Sequence, residues 1–250
     1  MIRTLLTLFL LLPVTAYWAS VTIVARLLRA PFRPGSPYDR AMHGWARTVI
    51  RCAGVKVVYH GRENRPVGGG VYICNHVSWF DVFSVASELP QCTFVAKREL
   101  RRIPLFGWGA EAAGVVFIDR DNRKSAFESY EEAADAARQG RRIVVFPEGT
   151  RGFDYRLRQF KKGPFVLAIS SGEPIVPTVV YGAMEVMGKG SYWIHPGTVH
   201  VHYLAPISTK GKTYEDRHEV MEATRQEMAE LLFREYGVGA GVGPGARDEG

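Results

Sequence analysis

Val71-Tyr72-Ile73-Cys74-Asn75-His76-Val77-Ser78-Trp79-Phe80-Asp81 is the stretch of this chain from which its architecture can be read. Four apolar residues in succession read as a short buried strand, and the polar set after them leads into a helical pattern over Trp79–Leu89. The same succession recurs around it. Strands are expected at Val55–Tyr59, Thr93–Ala96, Val115–Ile118, Arg142–Phe146, Ile175–Tyr181, Ser191–His195 and Val199–Leu204, and helices over Arg123–Gln139 and Tyr214–Tyr236. Apolar strands alternating with helices imply an α/β fold, a largely parallel sheet with flanking helices. The last three strands are closely spaced and suggest an antiparallel extension.

Upstream, no charged residue occurs from Thr4 to Ala25. A helix of that length covers roughly the ~30 Å of a bilayer's hydrocarbon core. Arg26, Arg29 and Arg33 follow it, against Arg3 before it, which favours a cytoplasmic position for what comes next. A cleaved leader fits poorly, because bulky Tyr17 and Trp18 precede Ala19 and the apolar run continues past it. Two readings of this membrane anchor stay open: a single span, or an apolar hairpin in the interface, since helical periodicity resumes at Ala41–Ala46. Pro31, Pro34 and Pro37 mark a linker, followed by a short helix from Asp39, as N-cap, to Ala53. The expected organisation is a membrane-associated helical segment over 1–54, an α/β domain over 55–236 and a disordered glycine-rich tail over 237–250. The expected location is the cell membrane, peripheral or single-span, with the α/β domain on the cytoplasmic side.

With 46% hydrophobic and 23% charged residues in 250, the chain is not a disordered one. A mean hydropathy of −0.08 excludes a polytopic membrane protein. Cys52, Cys74 and Cys92 form no CxxC pair, which argues against a disulfide framework or a structural zinc site. The net charge of +7 is uneven: residues 1–96 carry +6, 97–162 carry +5 and 163–250 carry −4. The first two thirds therefore suit an anionic partner, such as a lipid surface or a phosphorylated substrate. The membrane anchor makes nucleic acid a poor partner.

Residues able to do chemistry gather in two places. In the first, His76 ends the strand and Asp81 falls in the first helical turn, where the chain can fold the carboxylate back onto the imidazole. Such a pair is the His–Asp half of a hydrolase triad, and the chain has no G-x-S-x-G to supply its serine. The nucleophile would then come from the substrate, as an alcohol that His76 deprotonates. Ser78–Asp81 equally fits a capping box that merely satisfies a helix N-terminus. In the second place, Phe146-Pro147-Glu148-Gly149-Thr150-Arg151 follows the strand Arg142–Phe146, at a carboxyl end where open α/β sheets place ligands. Gly149 allows close backbone approach and Arg151 offers a planar fork suited to phosphate. The plainer reading is a solvated basic loop in which Glu148 pairs with Arg151.

An N-H-x-x-x-x-D block at Asn75–Asp81, followed about seventy residues later by F-P-E-G-T-R at 146–151, resembles the glycerolipid acyltransferase family, which includes 1-acylglycerol-3-phosphate (lysophosphatidate) acyltransferases. Gly114–Arg120, Ile175–Thr178 and the basic stretch Ala96–Pro104 resemble further blocks of the family, so the likeness covers roughly 55–205. The resemblance implies that His76 is a general base, that Asp81 orients it, and that Glu148, Gly149, Thr150 and Arg151 help to bind the acceptor. It implies Arg120 and Lys97 as further cations there. The implied donor is an acyl thioester, acyl-CoA or acyl-carrier protein, the implied acceptor a lysophospholipid, and no metal or bound cofactor is required. A phosphate-free lysolipid such as lyso-ornithine lipid is the alternative acceptor, and a non-catalytic lipid-binding scaffold is the alternative of another class.

His195, His200 and His202 raise a metal reading, because His200 and His202 alternate on one strand face. No carboxylate accompanies them, so a polar strand face is the expectation. Cys74, beside Asn75 and His76, is expected to be a buried strand cysteine rather than a nucleophile.

Overall fold

The computed structural model of the chain describes residues 2–239. In order, the chain forms α1 (Ile2–Leu27), α2 (Pro37–Ala53), β1 (Val55–His60), β2 (Gly70–Cys74), α3 (Trp79–Ala86), β3 (Cys92–Lys97), α4 (Phe106–Ala112) and β4 (Val116–Ile118). Then come α5 (Arg123–Arg138), β5 (Arg142–Val145), α6 (Gly163–Ser171), β6 (Ile175–Tyr181), α7 (Ala183–Met187), β7 (Gly197–Tyr203) and α8 (Arg217–Tyr236).

The strands build one seven-stranded sheet in the order β1-β7-β6-β2-β5-β3-β4, parallel throughout except for the β6–β7 pair. Every residue of β2 and β5 is buried, which is why, apart from Arg142 at the start of β5, both read as apolar runs and not as alternations. Tyr72, Cys74, Val144 and Val180 point to one face, where α2, α3 and α7 pack. Val71, Ile73, Val145 and Val179 point to the other, covered by α5, α6 and α8. The helix after β2 therefore goes to one face and the helix after β5 to the opposite face, although the two strands are parallel neighbours with Ile73 beside Val145. Beyond the carboxyl ends of strands at such a reversal is where open α/β sheets have their ligand crevice. Both motifs of interest start there.

Three expectations change. Ser191–His195 is not a strand: Ile194 is tied instead to α1, its N–H donating to Thr4 Oγ1 at 3.0 Å, and the antiparallel extension reduces to β6 against β7. Helix α2 starts before Asp39. Its cap is Ser36, which accepts from Asp39 N–H at 3.3 Å, and Pro37 stands in the first turn, where its missing N–H has no consequence. The Asp39 carboxylate is free to receive Gly35 N–H at 2.9 Å and Gln91 N–H at 2.7 Å. Finally, α4, α6 and α7 are short helices absent from the pattern reading. Gly163-Pro164, which looks like a break, is the first turn of α6. The glycine-rich tail lies, from residue 240 on, outside the described residues.

The N-terminal segment is bound to the domain along its length. From α2, Ala46, Val49, Ile50 and Ala53 join the same core cluster as the sheet. Helix α1 continues through Pro13 and packs on α2 and α4. Its inward residues are small or carry hydroxyls: Thr4, Thr7, Ala19, Thr22 and Ala25 are buried, and Thr22 Oγ1 donates to Gly109 O at 2.9 Å. Its outward residues are large and apolar, with Phe9 76% and Leu12 77% exposed. A water-facing amphipathic helix has the reverse arrangement. Among the described residues, α1 is the one helix long and apolar enough to cross a membrane.

Asn75 ties β2 to β6 where their pairing ends. Its amide donates to Val180 O at 3.0 Å and accepts from Val180 N–H at 2.7 Å, and the side chain is wholly enclosed. Asn75→Ala would leave both backbone groups without a partner, at about 1–3 kcal/mol for each. We expect equilibrium urea unfolding to show a midpoint lowered by ~2–4 kcal/mol of stability with an unchanged slope.

Candidate active site

Two loops meet over the crevice. The first leaves β2 through Asn75 and His76 and turns into α3 at Ser78, whose extended backbone and hydroxyl, accepting from Phe80 N–H at 3.1 Å, form a helix cap. Asp81, in the first turn, reaches back. A single oxygen, Oδ2, accepts from Val77 N–H at 2.7 Å, from Ser78 N–H at 2.8 Å and from His76 Nδ1 at 2.8 Å. Capping and pairing are thus the same contact and not alternatives. Asp81 is fully buried, whereas the His76 side chain keeps 15% of its surface exposed. With Nδ1–H directed at the carboxylate, the hydrogen bonds assign the lone pair to Nε2. The ring lies against Phe146, with centroids 4.1 Å apart and planes 23° from parallel. Adjacent Cys74 is completely enclosed, and burial pushes its thiol well above the ordinary range, so it supplies no thiolate.

The second loop leaves β5 with Phe146. Glu148 does not pair with Arg151. It turns inward, and its carboxylate accepts from the backbone N–H of His76 at 3.0 Å and of Arg158 at 3.4 Å. Burial raises its pKa to about 7, those two N–H groups pull it down, and the charge on Asp81 adds to the rise. Gly149 follows with φ of +77°, a left-handed conformation that suits glycine, and its carbonyl accepts from the Arg120 guanidinium. Thr150 is exposed at the loop's tip. The Arg151 guanidinium lies 5.2 Å from the centre of the Trp79 ring, at the start of α3. Gly152 N–H closes the circuit by donating to His76 O at 2.7 Å.

The structure therefore brings together His76, Asp81, Glu148, Gly149, Arg120 and Arg151. Lys97 stands at the same end of the sheet, exposed at the end of β3, with its ammonium on Glu99 at 3.2 Å. Three contributors went unmarked in the sequence. Asn75 and Phe146 carried a signal, each being the first residue of its motif. Tyr155 carried none: its hydroxyl accepts from Gly182 and Met184 N–H at 2.8 and 3.0 Å and donates to Glu185 at 2.6 Å, pinning the basic loop to α7. Of the histidines outside the site, His195 is exposed, while His200 and His202 share a sheet face with His60 of β1. Burial, then the neighbouring imidazoles, lowers His202 to about 4.

Comparison with known proteins places the chain in a family. The model of the Acyltransferase family matches residues 56–181, and the chain belongs to that family. It is 35% identical over 182 residues to the 1-acyl-sn-glycerol-3-phosphate acyltransferase of Saccharomyces cerevisiae, a match covering 71% of this chain and 59% of that protein. It is 34% identical over 200 residues to the Cocos nucifera protein of the same name, covering 78% and 63%. The chain spans about three fifths of the length of these curated relatives. Among solved structures, the 1-acyl-sn-glycerophosphate (LPA) acyltransferase PlsC of Thermotoga maritima superposes with a TM-score of 0.73 at 25% identity, covering 92% of this chain and 95% of that one.

Glu148 makes stability depend on pH. A carboxyl whose pKa is raised to about 7 keeps its proton in the folded chain while the unfolded chain releases it near 4.5. The fold therefore loses stability from this group as pH rises from about 4.5 to 7, by at most ~3 kcal/mol. Glu148→Gln removes the titrating group, so thermal melts should show its stability relative to the wild type rising as pH goes from about 4.5 to 7.

Proposed function

We propose that this chain moves a fatty acyl group from an acyl thioester, acyl-CoA or acyl-carrier protein, to the free hydroxyl of lysophosphatidate, giving phosphatidate for phospholipid biosynthesis. The observation that carries the reading is the 2.8 Å contact of His76 Nδ1 with a fully buried Asp81, which commits Nε2 to accepting a proton. His76 takes the proton of the acceptor hydroxyl as its oxygen attacks the thioester carbonyl. The tetrahedral intermediate then expels the thiolate, which takes the proton from the imidazolium. Asp81 stabilises that imidazolium between the two transfers. Arg120 and Arg151 flank the crevice as phosphate-binding cations, a role that suits the guanidinium's planar fork. Glu148 acts by holding the two loops together. The step needs no metal or bound cofactor, because the thioester carries its own activation.

The outward leucines and phenylalanine of α1 support a membrane location for this substrate. Contacts to Ile194 near one end and Gly109 near the other hold α1 against the domain, which favours a helix lying in the interface over one projecting across it. The arginines that follow α1 favour the cytoplasmic side for the catalytic domain.

The test is acyl transfer in detergent micelles to two acceptors, lysophosphatidate and lyso-ornithine lipid, by the wild type and His76→Ala. We expect thioester consumption that depends on lysophosphatidate and falls at least ~10²-fold in the variant, as for loss of a general base. Turnover confined to the ornithine lipid would overturn the acceptor, and undiminished turnover in His76→Ala would overturn the base.

A further inference from the structure

Three of the chain's seven histidines meet at one point outside the crevice. His200 and His202 alternate along β7 and so face the same way, and the parallel pairing of β1 with β7 sets His60 directly beside His202. One nitrogen from each ring lies within 4.8 Å of the others, and His60 Nε2 is 3.0 Å from His200 Nδ1. His202 Nε2 hydrogen-bonds the Tyr236 hydroxyl at 2.6 Å, and Tyr236 is held in place by stacking on Tyr181 at 3.7 Å. Tyr181 belongs to β6 and Tyr236 ends α8, so two further elements converge on the cluster.

We infer that His60, His200 and His202 form a binding site for a divalent transition-metal ion, with Zn²⁺ the physiological choice that suits it best. Imidazole is a borderline donor that suits zinc, copper, nickel and cobalt, while an all-nitrogen set does not suit Mg²⁺ or Ca²⁺. Three ligands leave a fourth position for water, the arrangement of an open zinc site. The donors of a tetrahedral zinc stand ~3.4 Å apart, given a metal–nitrogen distance near 2.05 Å. The His60 and His200 nitrogens, 3.0 Å apart and hydrogen-bonded to each other, stand just inside that spacing; a metal ion would displace the shared proton, and the exposed His60 and half-buried His200 rings, now stacked, would turn toward it. The bond from His202 to Tyr236 is the outer contact that metal-bound histidines usually make with the nitrogen they do not offer to the metal. The site joins the edge strand β1 to β7, with β6 standing between it and β2. The ion would therefore act as a clip on the sheet edge, separate from the acyl transfer proposed above.

The test uses full-length protein without a histidine tag. Equilibrium dialysis against Zn²⁺ should give one ion per chain, and Co²⁺ should show the visible absorption of a low-symmetry nitrogen site. Melting temperature should rise with added Zn²⁺ and return with a chelator. His60→Gln and His200→Gln should each weaken binding at least ~10-fold, and Tyr236→Phe by ~10-fold, while exposed His195→Gln leaves it unchanged. Circular dichroism of the metal-free variants checks that they fold, and His60, exposed at a strand end, gives a variant that survives should His200→Gln not. Failure of the wild type to take up Zn²⁺, or uptake that persists in both His60→Gln and His200→Gln, would overturn the inference.

Discussion

Oδ2 of Asp81 receives three N–H groups, two from the backbone that begins α3 and one from the imidazole of His76. A carboxylate without solvent access is costly to bury, and the donors that offset the cost all converge on Oδ2, while Oδ1 is enclosed without a hydrogen-bond partner. The same charge sits in the first turn of α3, where the helix's free N–H groups favour it. One atom thus decides where the helix starts, which way the chain leaves β2 and which nitrogen of His76 carries the proton. The orientation of the base is consequently as rigid as the helix start itself.

Glu148 extends that rigidity to the neighbouring loop. Its oxygens reach the backbone of His76 on one side and of Arg158 on the other, so the two motifs are bound through main-chain groups that any residue would provide. The carboxyl itself comes from the side chain, and it sits close enough to Asp81 for their charges to oppose each other. The cationic side of the crevice is built more loosely. Arg120 rests on Gly149 O and Arg151 on the Trp79 ring, contacts that leave both guanidiniums with free donors. Enclosed anions that set geometry, and cations with donors to spare, are what a site for an anionic headgroup would require.

The parallel layers were legible because strands buried on two faces write themselves as short apolar runs between helical patterns. The His76–Asp81 and Glu148–Arg151 groups were legible because each lies in one contiguous motif at a strand's carboxyl end. Contacts between distant segments were harder to see. Tyr155 on Glu185, Asn75 on Val180 and His60 beside His202 join positions from 30 to 142 residues apart, and no local pattern encodes such a pairing. The short helices were hidden for a different reason: α4, α6 and α7 span 7, 9 and 5 residues, too few for a period of 3.6 to repeat clearly. Ser36 lost its place as cap to Asp39 because both residue types cap helices, and only the start at Pro37 separates them.

The approach of α1 to its neighbours has a mechanical meaning. A methyl group built on Gly109 would come within 2.4 Å of Ala19 Cβ, and one on Gly44 within 2.1 Å of the Trp18 ring. Both positions touch the same stretch of α1, which is one unbroken rod about 39 Å long at 1.5 Å per residue. A wedge at that point would tilt the rod like a lever, with the displacement growing toward Thr4 and its contact with Ile194. Two hydrogen atoms standing where side chains would otherwise begin thus determine the angle at which the whole apolar face is presented.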